Sequence, residues 1–153
     1  MKSGEATRTK GAIMELDATK IGVFGINLRS DFDQTWLTFW RKEDGFTLDW
    51  FAMIGDEDPI QEEPKISTED GERAIAQAIA SAGIGEWESL YDASASETID
   101  GLVWTLDIDD LDQEDIMFVS GNAGVPSKAQ FMALIEAARL AVPEFAQGME
   151  GLE

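Results

Sequence analysis

A chain of 153 residues that is 44% apolar, with five Trp and eight Phe, is the size of one packed domain and too rich in bulky side chains to stay disordered, despite a formal net charge of −20. It holds neither Cys nor His, which excludes disulfides, thiolate nucleophiles, imidazole acid–base chemistry and thiolate or imidazole metal ligands. The charge is uneven: residues 43–115 carry twenty-two acids and two bases, so the whole net charge falls in the middle of the chain, where Lys65 and Arg73 are the only cations.

In chain order, residues 1–18 are polar and of mixed sign and read as a disordered lead-in, with no apolar core suited to a signal peptide. Residues 19–143 read as one domain and 144–153 as a frayed tail. No run approaches eighteen apolar residues, so a cytoplasmic protein that does not engage a membrane is expected. Residues 21–28 (IGVFGINL), 36–40 (WLTFW) and 46–54 (FTLDWFAMI) are β-rich and aromatic, and predict three antiparallel strands. The link 41–45 ends in Asp-Gly, which supplies the positive φ of a hairpin turn, and the polar link 30–34 suits a second hairpin.

Residues 55–64 (GDEDPIQEEP), with two prolines and five acids, predict an exposed loop without regular structure. Ser67 opens a capping-box-like S-T-E-D start, followed by Ala74, Ile75, Ala78, Ile79 and Ala82 on one helical face and Gly83 as the closing left-handed residue. Residues 84–98 have no clean period and are expected to be irregular, pinned by Trp87, Leu90 and Tyr91. Leu102, Trp104, Leu106 and Ile108 then alternate with Val103, Thr105, Asp107 and Asp109, a strand with one buried face. Residues 110–115 form an acidic hairpin tip, 116–119 a returning strand, and 121–126 a structural turn with Asn122 or a glycine left-handed. Ser127 caps a last helix whose apolar face is Phe131, Leu134, Ile135, Ala138 and Val142, stopped by Pro143. The order β-β-β-α-β-β-α predicts a two-layer α+β fold: a mainly antiparallel sheet of about five strands with both helices on one face.

Trp87, then Asp100-Gly101-x-x-Trp104, then Gly121-Asn122-Ala123-x-x-Pro126 before an apolar helix resembles the C-terminal half of a family of small uncharacterised bacterial proteins, in which a DG-x-x-W strand precedes a G-x-N-A-x-P segment and a final helix. The likeness covers about half the chain and departs from the family's pattern in the long acid run between the two strands. It implies the α+β layout and transfers no activity.

Two acid clusters are the candidate partner-binding residues: Asp56, Glu57, Asp58, Glu62 and Glu63 in one, Asp107, Asp109, Asp110, Asp112, Glu114 and Asp115 in the other. No frame of the second fits an EF-hand loop, since a start at Asp110 puts no Gly at the sixth place and Gly121 at the twelfth, so neither a metal nor another cofactor is expected. Paired carboxylates for hydrolysis need a cleft and one buried acid, and loop acids this dense are expected to be exposed. Scarce Lys and Arg exclude direct nucleic-acid binding. The five Trp are read as core, with a Trp on an outer sheet face as a possible partner anchor.

The expected function is therefore a non-enzymatic acidic binding protein. In its sharpest form it presents phosphate-like charge to the basic nucleic-acid-binding groove of a host nuclease or defence complex such as a CRISPR effector, as phage-borne anti-CRISPR inhibitors do. Duplex DNA carries a charge every ~1.7 Å, whereas Asp107 and Asp109 on one strand face offer one every ~6.6 Å, so the acid loops have to add to the strand. The alternatives are a bacterial protein-interaction module and, behind it, a carboxylate-based calcium-binding protein or hydrolase. Charge of one sign this concentrated repels itself, and screening relieves the repulsion. The melting temperature is expected to rise between about 10 and 300 mM NaCl, as followed by circular dichroism; a flat or falling trend means the acids are internally paired.

Overall fold

A period of two in side-chain burial builds the sheet. The computed structural model describes residues 17–43, 45–55, 58–62, 65–111 and 116–146. Strands β1 (Ile21–Arg29), β2 (Asp33–Lys42) and β3 (Gly45–Ile54) form an antiparallel meander, in the register Ile26↔Leu37↔Trp50. Strands β7 (Glu97–Asp110) and β8 (Ile116–Val125) form the second hairpin, and β7 docks antiparallel on β1. Three short strands finish the edges: β4 (Ile60–Glu62) and β5 (Lys65–Ile66) on β3, and β6 (Leu90–Tyr91) parallel to β8. The eight described strands run in the order β4-β3-β2-β1-β7-β8-β6, with β5 beside β4's position on β3.

One face of this sheet carries Phe24, Ile26, Leu28, Leu37, Phe39, Phe46, Leu48, Leu102, Trp104, Leu106 and Ile108, all at most 2% exposed. Helices α1 (Thr68–Ala82) and α2 (Lys128–Ala138) cover it. Ser67 caps α1 by accepting from the Asp70 N–H at 3.0 Å, and Gly83, at φ 65°, ends it with its N–H on the Ile79 carbonyl. Gly71 sits in the first turns because a Cβ there would run into the Phe46 ring, so the helix gives up some propensity to lie against β3. Ser127 caps α2 in the same way, accepting from Gln130 N–H at 3.0 Å.

Arg41 closes one end of the inner layer. Its guanidinium donates to the carbonyls of Ile21 (2.8 Å) and Ala18 (2.9 Å), pairs with Glu72 of α1 at 2.8 Å and lies 4.6 Å from the Phe46 ring centroid. This cation is largely enclosed and each of its three nitrogens makes a hydrogen bond, one of them to a carboxylate, the condition under which an inward-facing charge stabilises rather than costs.

The expected α+β class, antiparallel strands and one-sided helices are observed, with five differences. The sheet holds eight described strands rather than about five, the additional ones being the short edge strands, of which β6 runs parallel to β8. The loop 55–64 is not wholly irregular: residues 60–62 pair with β3, satisfying its edge, with Pro59 just ahead where a missing N–H costs nothing. The segment 84–98 holds a 3₁₀ turn (Ile84–Glu86) and β6, and there Leu90 is 59% exposed while Trp87 and Tyr91 do the pinning. The turn expected at 121–126 is strand: β8 runs on to Val125, and Ala123 rather than Asn122 or a glycine takes positive φ, 68°. The packed region also outlasts 143, since Phe145 and Ala146 are buried, and begins by Ala18.

The G-x-x-x motif around Gly121 has a packing cause. The Trp104 indole donates Nε1–H to the Gly124 carbonyl at 2.9 Å, passing so close over Gly121 that any Cβ there would strike the ring; a Cβ on Gly124 would strike the Asp92 backbone of the β6 segment. Trp87, Tyr91 and Phe131 surround the same indole at centroid distances of 5.8, 6.2 and 5.0 Å. Trp104→Ala should therefore cost on the order of 3–5 kcal/mol, read by urea unfolding, whereas half-buried Thr105 on the opposite face should lose under about 1 kcal/mol as Ala. Equal losses would place the strand one residue out of register.

Candidate functional site

Among the described residues, no helix covers the second face of the sheet. Alternation places Val23, Gly25, Asn27 and Arg29 of β1, Gln34, Trp36, Thr38 and Trp40 of β2, and Thr47, Asp49, Phe51 and Met53 of β3 on it, with Val103, Thr105, Asp107 and Asp109 of β7 and Phe118 of β8. Several of these are large and wet: Trp40 is 45% exposed, Met53 39% and Phe118 50%. Trp36 and Phe51 are half-buried against each other as a stacked pair, centroids 5.9 Å apart and planes 15° from parallel. An antiparallel sheet tolerates one solvated face, yet such a face is ordinarily polar, and this one is aromatic at its middle.

The register aligns one row across five strands: Phe118, Asp107, Gly25, Thr38, Asp49. Asp107 ends up beside the only residue in the row without a side chain. Asp107 is exposed at its surface, yet the neighbouring sheet removes part of its hydration, and this partial desolvation, with the charge of Asp109 two residues on second, holds its carboxyl above the usual aspartate range. Asp49 Oδ1, at the other end of the row, is enclosed and has no hydrogen-bond partner. Such an acceptor costs stability unless a donor is brought to it. A hollow of about 220 Å³ opens above Gly25, walled by Trp36, Thr38, Asn27, Thr105 and Asp107, and a smaller one of about 160 Å³ adjoins it beside Arg29, Gln34 and Val103.

The structure separates the described members of the two candidate acid clusters. Asp107, Asp109 and Asp110 lie toward the end of β7 that pairs with the start of β1, whereas Asp58 follows the far end of β3, where Ile54 faces Asp33, and Glu62 lies opposite Trp50 in mid-strand. Strand geometry sets these ends about 25 Å apart along the strands and three strands apart across the sheet. Asp107 is exposed, Asp109 and Asp110 half-buried, Asp58 exposed, and Glu62 pairs through its backbone with Trp50. Asp56, Glu57, Glu63, Asp112, Glu114 and Asp115 lie outside the described residues. Among the described candidates, Asp107 and Asp109 share the aromatic face.

Of the five Trp read as core, Trp50, Trp87 and Trp104 are buried, whereas Trp36 and Trp40 face outward, the position anticipated for a Trp that anchors a partner; Phe51, Phe118, Gly25 and Asp49 share this face and were not singled out from sequence. The available signal was in β2, where Trp36 and Trp40 share one parity and Leu37 and Phe39 the other, so both faces had to be apolar. Among the described residues no three acids gather closely enough to hold a metal ion, and no helix is long and apolar enough to cross a membrane. Two carboxylates on an open face have the means to attract and pair with cations.

Because the folded state raises the Asp107 pKa, it binds more protons than the unfolded chain between the ordinary aspartate value and the raised one, so stability falls as pH rises through that window. Ionised Asp107 is therefore unfavourable at neutral pH. Asp107→Asn should raise the melting temperature at about pH 7, and the gain should vanish below about pH 3.9, where aspartate is protonated in both states. A variant that melts lower at neutral pH would mean that the carboxylate is stabilised in the fold.

Compared with known proteins, the chain matches no family model and no curated protein.

Proposed function

We propose that this chain is a non-enzymatic binding protein that docks a basic protein partner on the uncovered face of its sheet. The observation that carries the reading is the coincidence, on one face, of exposed aromatic side chains with carboxylates lacking cationic neighbours. Trp40, Phe118 and Met53 supply apolar area of the kind that anchors interfaces, and Asp107, Asp109 and the orphan acceptor of Asp49 ask for donors. The net charge of −20 steers a partner of opposite sign by long-range attraction and repels nucleic acid itself.

The finer form of the reading is mimicry of nucleic acid toward the basic groove of a nuclease or defence complex, a CRISPR effector among them. What supports it is the acid content at both ends of the sheet; the aromatic middle of the face instead favours a plain protein-interaction module. The separation of the acid clusters bears on the choice, because a mimic has to place charge at both ends of one bound face, whereas a module needs only the β7 end.

Affinity capture on the immobilised chain, followed by competition with labelled duplex DNA at low salt, distinguishes them. Phe118→Ser with Trp40→Ser should leave the melting temperature nearly unchanged and weaken capture by about tenfold or more, while Asp107→Asn with Asp109→Asn should slow association and flatten its salt dependence. Unaltered capture by the aromatic double variant would refute docking on this face. A captured partner that DNA fails to displace would refute mimicry and leave the module.

A further inference from the structure

Resting on that docking reading, we infer that the hollow above Gly25 is a receptor for a single arginine side chain of the basic partner. Its walls supply what a guanidinium uses. Asp107 offers a carboxylate at the rim, Trp36 offers an indole, and the hydroxyls of Thr38 and Thr105 with the amide of Asn27 offer neutral acceptors between them. The indole is held in place from behind by its stack on Phe51, so it need not be ordered on binding.

Gly25 makes the space. A Cβ built there would lie 3.4 Å from Thr38 Oγ1 and 3.9 Å from the Asp107 Cβ, so alanine fits the strand but raises the floor of the hollow. The backbone at Gly25 needs no positive φ. A glycine in the middle of a central strand weakens it, and no backbone conformation demands one here, so the close approach of another group is the remaining use of the position.

Arginine fits better than lysine. A planar guanidinium can lie along the indole while its edge reaches a carboxylate, whereas an ammonium is more strongly hydrated and addresses one of the two at a time. Arg29 lines the adjoining smaller hollow, which sets the cation's place at the Asp107 end by repulsion from the other. The raised pKa of Asp107 is consistent with a carboxylate that lacks a counter-charge until a partner brings one.

The test uses the full chain, isotope-labelled, titrated at low salt with a nine-residue arginine peptide and with a lysine peptide of equal length. The expected result is that the arginine peptide shifts the backbone amide signals of Gly25, Thr38 and Thr105 and binds about tenfold tighter than the lysine peptide. Gly25→Ala and, separately, Trp36→Leu should shrink that preference to about twofold while leaving lysine-peptide affinity unchanged, and Asp107→Asn should weaken the arginine peptide by about tenfold. Use of two independent positions keeps the result readable should one variant misfold, which circular dichroism reports.

Binding of both peptides with shifts confined to the acidic ends and none at Gly25 overturns the arginine receptor and leaves docking by charge standing. A preference for arginine that survives both Gly25→Ala and Trp36→Leu also overturns it. Absence of binding by either peptide overturns the docking reading together with the receptor.

Discussion

The hydrogen bond from the Trp104 indole to the Gly124 carbonyl ties together more of the molecule than any other single contact. Its donor stands on β7 and its acceptor near the end of β8, the ring lies over Gly121, and Trp87, Tyr91 and Phe131 bring in the 3₁₀ segment, β6 and α2. A buried indole N–H without a partner costs about 1–3 kcal/mol, so the bend of β8 at Ala123 that presents the carbonyl is set by the needs of one side chain. Of the residues in the resemblance motif, Trp104 and Gly121 belong to this arrangement, and a Cβ at Gly121 or at neighbouring Gly124 would collide with the indole or with the Asp92 backbone.

Both helices are committed to the Trp104 side, so no described helix lies on the other face. Among the described residues only α1 and α2 are long enough to cover a sheet, and both inner stripes end on the same layer: Gly71 against Phe46, Phe131 against Trp104. The aromatic side chains opposite are therefore a choice of sequence and not a packing necessity, since polar residues there would leave the core untouched. The same division explains why the two acid clusters differ in meaning. Those on β7 share a face with the aromatics, and those beyond β3 sit at the other end of the sheet.

The fold was legible where burial alternates cleanly. In β7 every second residue is apolar and its neighbours are polar, so strand, register and buried face could all be read; the caps at Ser67, Gly83 and Ser127 were equally plain because each rests on local chemistry. The short strands β4 and β6 were not legible, because two or three residues carry no period and owe their pairing to the edge they cover. The face was half legible. In β2, Trp36 and Trp40 against Leu37 and Phe39 give two apolar sides, and which of them turns inward is decided by the helices, which no feature of the strand itself records. Gly25 carried no signal as a site, since a lone glycine in a strand is common and its hollow arises only when β2 and β7 bring Trp36 and Asp107 alongside.

The two-residue length of β6 has a consequence for the behaviour of the protein in solution. Among the described residues it covers β8 only at Ser120 and Gly121, so at 117–119 that edge meets no described strand, the kind of template onto which a second strand readily adds. In sequence this edge follows Asp109, Asp110, Asp112, Glu114 and Asp115, and two copies of a chain with a net charge of −20 repel each other. Acids flanking an apolar strand in this way oppose edge-to-edge self-assembly. Salt then has two opposed effects on the same chain: it relieves repulsion within one molecule and lowers the barrier that keeps neighbouring molecules from joining their sheets.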